Sequence, residues 1–507
     1  MTLLIMFTYM KEEIVESEGN KEQSEAGLKN IQETIVVTHH TMQVGENILE
    51  YSAHTGTIII KEEDIESGEK QKAALFYIAY ILDQPELSEK QRNRPVTFSF
   101  NGGPGSSSVW MHLGLLGPRR VVLAEDGMPL PPPYQLIENE FSLLTHSDLV
   151  FIDPVSTGYS RAVPKEKPEQ FHNVKKDIES VGEFIRVWLT RNKRWNSAKY
   201  LIGESYGTTR AAGLAEYLQM EYGMYLNGIM LISSILNFIT AEFNPGNDLP
   251  HILFLPSFTA TAWYHKKLKP ILQKDLISTI KQAREFAQEE YCLALMQGDQ
   301  LPTVDRNRIA AKLAEFCGLS TDYVERSNLR INIHRFVKEL LREEGKTVGR
   351  LDSRYLGNDR DSVGEYNEID PSYAAILGPF SATMNDYVRR NLNYEVDTRY
   401  EILTSLYESW KYDIFENQYV NTAENLRKAF QANPALRVIV CNGYFDLATP
   451  FFATEYTFNH LDIPAEQKSQ VEMKYYPSGH MMYVQLESLK QVADDLRTFI
   501  GKDDGQE

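Results

Sequence analysis

Cysteine is scarce. The 507 residues contain three, Cys292, Cys317 and Cys441, and no two of them form a C-x-x-C pair, which excludes a zinc ribbon or a thioredoxin-type redox site. At most one disulfide is available, so a stapled secreted scaffold is not expected and a reducing, cytoplasmic setting fits better. Long hydrophobic runs are also missing: beyond the start of the chain no stretch approaches the roughly 18 apolar residues that would span a bilayer. Met1 to Met10 is mostly apolar, but it is too short to cross, has no Lys or Arg, and runs into Lys11-Glu12-Glu13, which does not fit a cleaved leader. Positive charge is in deficit. Against 52 Lys and Arg stand 70 Asp and Glu, a net charge of −18. A field of that sign repels phosphate backbones and anionic surfaces, so neither nucleic acid nor a membrane is an expected partner. Metal-ligand clusters are lacking as well. His39 and His40 are adjacent on a predicted strand, so their side chains point to opposite faces, and no metal or cofactor is expected. No internal repeat is visible, and nothing in the sequence sets the oligomeric state.

What remains is ordinary globular composition, 42% hydrophobic and 24% charged, long enough for two to three units at about 150 residues each. Residues 1–30, rich in Glu, Lys, Ser, Gln and Asn, read as a mobile tail. From Ile35 to Ile60 polar and apolar residues alternate around Gly45-Glu46-Asn47, which predicts a hairpin. After a strand at Ala74–Leu82 the pattern changes to short apolar strands, Val96–Phe100, Leu149–Ile152, Tyr200–Ile202 and Gly228–Ser233, with helical spacing between them at residues 175–191 and 208–218. That alternation predicts an α/β core with a mostly parallel sheet. The core is expected in two parts, residues 31–239 and 431–507. Between them residues 240–430 form a largely helical cap insertion, with one helix around Ile309, Leu313 and Phe316 closed by Gly318.

The strongest chemical signal is Gly203-Glu204-Ser205-Tyr206-Gly207. A G-x-S-x-G between a strand and a helix is a nucleophile elbow, whose sharp turn requires small neighbours and projects the serine from the carboxyl edge of the sheet. A serine hydroxyl needs a base, and the base needs an acid to fix its tautomer. In this architecture the chain order is serine, acid, histidine. Asp446 follows the strand Val438–Cys441 and His480 follows the strand Lys474–Tyr476, both in loops at strand ends, whereas His460 sits in a helical pattern. Ser205, Asp446 and His480 are therefore the candidate catalytic residues. Acyl transfer also needs an oxyanion hole. Tyr206 N–H, next to the nucleophile, is one candidate donor; Gly103, in Asn101-Gly102-Gly103-Pro104-Gly105, is the other. A phosphate loop is disfavoured there because no Gly-Lys-Ser/Thr ending follows.

Four blocks now resemble the serine carboxypeptidase family: Asn101-Gly102-Gly103-Pro104-Gly105-Ser106-Ser107, Asp153-Pro154-Val155-Ser156-Thr157-Gly158-Tyr159-Ser160, Gly203-Glu204-Ser205-Tyr206-Gly207 and Gly479-His480-Met481. The resemblance implies an α/β-hydrolase core roofed by a helical insertion, and release of single residues from peptide C-termini through an acyl-enzyme. It implies Ser205 as nucleophile, His480 as base and Asp446 as its partner. Asn101 and Glu204 match positions that bind the terminal carboxylate of the peptide substrate, Gly102 is grouped with them as substrate-binding, and Met481 matches a position beside the leaving-group pocket.

Three departures stand out. Ser106 replaces a usual cysteine, so a common disulfide is missing. The Asp153 loop is one residue shorter, with Ser156 in place of a glycine. Leu115, two residues before Gly117-Pro118, replaces a glutamate that in the family shares a proton with the elbow glutamate. Without that partner Glu204 is expected to be ionised near neutrality, unless burial raises its pKa. Arg350 and Arg354, in Gly349-Arg350-Leu351-Asp352-Ser353-Arg354-Tyr355, are alternative candidates for holding a carboxylate. An esterase or acyltransferase using the same triad, and a non-catalytic binding protein on the same scaffold, remain competing readings.

Overall fold

Gly45, at φ 60°, reverses the chain between two strands, β1 (Ile35–Val44) and β2 (Asn47–Asp64). The computed structural model describes residues 31–65, 68–83 and 94–502, so the expected tail at 1–30 lies outside the described residues. Contacts separate Met1–Gln32 from a unit spanning Glu33–Glu507, to which all the following elements belong. The hairpin continues into β3 (Gly68–Leu82) as an antiparallel ribbon.

The strands that follow are β4 (Val96–Phe100), β5 (Asp148–Ile152), β6 (Lys199–Glu204) and β7 (Gly228–Ile232). They are buried along their whole lengths, as parallel strands covered on both faces must be. Two more, β8 (Arg437–Gly443) and β9 (Val471–Tyr476), arrive after the insertion. The sheet order is β1-β2-β3-β5-β4-β6-β7-β8-β9, with the short strand Arg161–Ala162 also paired to β3. From β5 to β9 every pairing is parallel.

Helices cover both faces. On one, α1 (Val174–Arg191) buries Ile178, Val181, Ile185, Trp188 and Leu189, and α2 (Tyr206–Tyr222) packs beside it. In the insertion α3 (Leu249–Tyr264), α4 (Leu276–Phe286) and α5 (Thr303–Cys317) build a second apolar cluster, which Phe445, Leu447 and Phe451 of the returning core join. Two later helices do not join that cluster. α6 (Pro371–Arg390) packs into the core beneath the opposite sheet face, together with the last helix of the chain, Leu486–Gly501. α7 (Ala423–Ala432) packs against α2 on the first face. The mixed, mostly parallel sheet with helices on both sides is the α/β-hydrolase arrangement, and its carboxyl edge carries the residues singled out in the sequence.

Candidate active site

The elbow is built by the abrupt change from β6 to α2. Ser205 sits between them at φ 59° and ψ −129°, a region that costs a non-glycine residue about 1–3 kcal/mol. The turn is held from three sides. Ser205 N–H donates to Ile232 O of β7 at 3.0 Å, and Thr208 N–H donates to Ser205 O at 2.8 Å. The third side is the glycine loop: a Cβ on Gly102 would lie 2.5 Å from Tyr206 N and 2.7 Å from Glu204 O. Both atoms are backbone, so only glycine lets the two turns touch. Gly103 is exposed at φ 104°. Tyr206 N–H opens α2 and is one of the donors a helix start leaves without an intrahelical acceptor. Arg210 of α2 anchors the loop from below. Its guanidinium pairs with Asp177 at 2.9 Å and donates to Asn101 O at 2.7 Å, with both charged groups buried.

Asp446 and His480 occupy the loops after β8 and β9. Tyr444 N–H donates to Tyr476 O and Phe445 N–H to Ser478 O, each at 3.0 Å, so the two loops extend the strand pairing beyond the sheet edge. His480 Nδ1 lies 2.8 Å from Asp446 Oδ2, with both residues buried. The other carboxylate oxygen accepts N–H bonds from Ala448 at 2.7 Å and Thr449 at 3.0 Å. Thr449 Oγ1 donates to Asp446 Oδ2 at 2.7 Å and is 3.3 Å from the imidazole. Burial works against a charged imidazole, but the Asp446 carboxylate, with Glu204 adding to it, outweighs it and holds His480 above the ordinary histidine pKa. Nε2 is the ring nitrogen that Asp446 leaves free. His480 is tied to the elbow side by Ser233, the residue after β7, whose hydroxyl donates to His480 O at 2.6 Å. No hydrogen bond joins Ser205 Oγ to the imidazole in the described residues, a contact that is commonly loose in free hydrolases and tightens around substrate.

Residues 350–354 of the insertion wedge between these loops. Arg350 O accepts from Leu447 N–H at 3.1 Å, and Leu351 O accepts from His480 N–H at 2.7 Å. Asp352 Oδ2 accepts from Gly479 N–H at 3.1 Å. Arg354 is consumed by this scaffold: it pairs with Asp352 at 2.6 Å and donates to Pro477 O and Ser478 Oγ. A guanidinium committed in this way is not available to a substrate carboxylate. Arg350 is exposed, makes no ion pair among the described residues, and is close enough for its charge to act on His480.

Glu204 is buried behind the nucleophile. Burial pushes its carboxyl up to about 7, with Asp446 adding to the rise and His480, Tyr483 and Asn101 opposing it. The expectation of a charged Glu204 at neutrality thus turns on the exception attached to it, because loss of solvent does what a second carboxylate would otherwise do. Leu115 is buried in a π-helical turn, His112–Leu116. The group that does reach Glu204 is Tyr483, whose hydroxyl donates to Oε2. Asn101 Oδ1 accepts from Met111 N–H at 3.3 Å. Its buried Nδ2 sits near Glu204 and Tyr483, lowering the pKa of both as a hydrogen-bond donor would, although no contact of normal hydrogen-bond geometry is made. Met481 is buried and lines a narrow cavity with Leu351, Tyr355 and Ile376.

The other departures find local replacements. Ser106 Oγ accepts from Trp110 Nε1 at 2.7 Å, and its backbone pairs with Leu403 as an antiparallel bridge, which joins the glycine loop to the insertion without a disulfide. All three cysteines are free. Ser156 holds φ 71°, a conformation that favours glycine, and its hydroxyl lies 2.9 Å from His172 Nε2. Sequence reasoning missed Thr449, Asp352 and Tyr483. None sits in a catalytic motif, although Thr449 and Tyr483 each lie three residues after a candidate triad residue and Asp352 lies between the two arginines singled out above.

Among the described residues no helix is long and apolar enough to cross a membrane, and no group of three or more His, Cys, Asp or Glu is placed to hold a metal ion. Comparison with curated proteins finds serine carboxypeptidase-like 33 of Arabidopsis thaliana, 30% identical over 144 residues, 26% of either chain. Pheromone-processing carboxypeptidase KEX1 of Yarrowia lipolytica is 27% identical over 217 residues, 42% of this chain and 30% of the relative. The chain thus spans well under half the length of these relatives. Among solved structures it is similar to proline iminopeptidase of Mycobacterium smegmatis, at 12% identity and a TM-score of 0.35, covering 92% of this chain and 99% of that one. The serine carboxypeptidase family model matches residues 64–493, a span that contains the glycine loop, the elbow and both strand-end loops, and the chain belongs to the serine carboxypeptidase family.

Proposed function

We propose that this protein is a serine-type carboxypeptidase that hydrolyses the C-terminal bond of peptides through an acyl-enzyme on Ser205. The observation that carries the reading is the buried 2.8 Å contact between His480 Nδ1 and Asp446, in loops tied to the strand beside a serine in an elbow conformation. In this scheme His480 Nε2 takes the proton of Ser205 Oγ as the oxygen attacks the scissile carbonyl. Asp446 holds the Nδ1 proton and stabilises the imidazolium that forms. The N–H groups of Gly103 and Tyr206 receive the oxyanion. The leaving amine takes the proton from His480, and a water activated by the same imidazole then releases the acyl group.

Recognition of a chain end falls to the groups behind the nucleophile. A substrate carboxylate arriving there meets the Nδ2 of Asn101 and the carboxyl of Glu204. Held near neutrality by burial, Glu204 keeps its proton below about pH 7 and donates it to that carboxylate. Arg350, exposed and free of ion pairs among the described residues, is a further source of positive charge. The test is a panel of N-blocked dipeptides with free and with amidated C-termini, alongside a fluorophosphonate probe. Labelling of Ser205 and a preference for the free acid support the proposal. Preference for the amide or an ester points instead to an esterase or acyltransferase, and failure to label folded protein points to a binding role.

A further inference from the structure

The contact between Tyr483 and Glu204 is built from both sides. Tyr483 lies in the 3-10 turn Met482–Val484 directly after His480-Met481, and its ring is buried. The space it fills exists because residue 114 has no side chain: a Cβ on Gly114 would fall 2.5 Å from Tyr483 Cε2 and 2.7 Å from Cδ2. On its far side the ring borders a cavity of about 160 Å³ lined by Val121, Leu123, Phe380 and Leu486, with Arg120 also in its wall. The phenol donates to Glu204 Oε2, and Asn101 is the other polar group that acts on its oxygen. A donor fixed on Oε2 leaves Oε1 as the oxygen that takes up the proton of Glu204.

We propose that Tyr483 is a positioning residue for substrate recognition, whose hydroxyl occupies Glu204 Oε2 and so presents the carboxyl proton on Oε1 to the terminal carboxylate of the peptide. The inference rests on the carboxypeptidase reading above. The phenol remains a donor at all relevant pH, because burial, reinforced by the charge of Glu204, holds its own pKa well above the tyrosine value. A hydrogen bond to Oε2 favours the ionised carboxylate, so Tyr483 pulls against burial and sets the pH at which Glu204 loses its proton. The other groups acting on Glu204 are His480, Asp446 and Asn101, and Arg350 acts on His480.

The experiment compares the pH profile of kcat/KM on free-acid and amidated dipeptides for the full chain and for Tyr483→Phe, which keeps the ring and the cavity intact. Removing the donor raises the pKa of Glu204, so the alkaline limb on the free acid moves up by about one pH unit, while the limb on the amide does not shift. Site-specific 3-fluorotyrosine at 483, a stronger donor of nearly the same shape, moves the free-acid limb downward. With Glu204→Gln in the background, Tyr483→Phe no longer moves the limb. An unmoved limb in both Tyr483 substitutions overturns the inference, as does a shift that persists with glutamine at 204 or appears equally on the amide. Loss of fluorophosphonate labelling in both also overturns it, since the ring would then be holding the nucleophile. Equal rates of the wild-type protein on free acid and amide overturn the carboxypeptidase reading and the inference with it. Preference for the free acid with an immobile limb overturns the inference alone.

Discussion

Replacing Glu204 by glutamine separates chain-end recognition from hydrolysis. The Glu204 pKa is raised from the ordinary carboxyl range to about 7, chiefly by burial, so the proton is retained up to neutrality and lost as the pH rises through 7. Recognition of a free carboxylate is therefore present below about 7 and fades above it. One unit above the pKa roughly a tenth of the molecules still carry the proton, so kcat/KM on a free-acid dipeptide falls about tenfold per pH unit. In the proposed mechanism the acid limb belongs to His480, which must be neutral to accept the serine proton and is held above the usual histidine value by Asp446 and Glu204 despite its burial. Together the two limbs bound the activity on the free acid from both sides. Glutamine has much the same shape and keeps an N–H donor, but cannot ionise. Glu204→Gln should abolish the alkaline limb on the free acid, keep an acid limb, displaced if at all downward because Glu204 is one of the charges that raise His480, and make the variant about tenfold more active than wild type one unit above pH 7 and about 100-fold two units above it. Initial rates from pH 5 to 9 on matched free and amidated peptides measure this directly. An alkaline limb that survives in the variant refutes the assignment of that limb to Glu204. A wild-type optimum at about pH 4–5 refutes the account of Glu204 more broadly.

Asp446→Asn should preserve the loop but present the wrong imidazole tautomer, lowering kcat about 10³- to 10⁴-fold in single-turnover assays; a loss below tenfold would contradict the triad. Gly102→Ala forces a methyl into Tyr206 N and Glu204 O, so a loss of activity of about 100-fold or more is expected on displacement of the oxyanion loop, and wild-type rates would show that the loop is not part of the site. Arg354→Ala leaves Asp352 buried without its partner and should cost about 3–5 kcal/mol of stability, read as a lowered Tm. Arg350→Ala, by contrast, should leave Tm close to wild type and raise KM for the free acid alone; an unchanged KM removes Arg350 from recognition.

How legible the site was depended on how far its parts sit from one another along the chain. Ser205 and the glycine loop were readable because each is a local backbone problem: a strained turn that demands small neighbours and a loop that must touch it. Asp446 and His480 were readable as loop residues just past apolar strands. Thr449 was not, because a threonine in a loop is chemically silent until an acid is folded against it. Arg354 read as a carboxylate binder, since two arginines in an exposed-looking segment carry no sign of the buried Asp352 that claims one of them. In the insertion the helical pattern was evident, but not that α6 and α7 would leave the cap cluster and pack on the core.

Composition and order along the chain by themselves determined an acidic globular α/β protein with a serine elbow, an acid and a histidine in hydrolase order. Those features rest on short-range rules: the period of apolar residues, the steric needs of a turn, the ends of strands. Only the tertiary structure decided the electrostatic character of the site. It buried Glu204 without a carboxylate partner in contact, supplied a phenol from beyond His480 through a gap left by Gly114, and spent Arg354 on holding the histidine loop. A carboxyl's charge depends on the solvent and partners taken from it or given to it, and those are settled only when distant segments close over it.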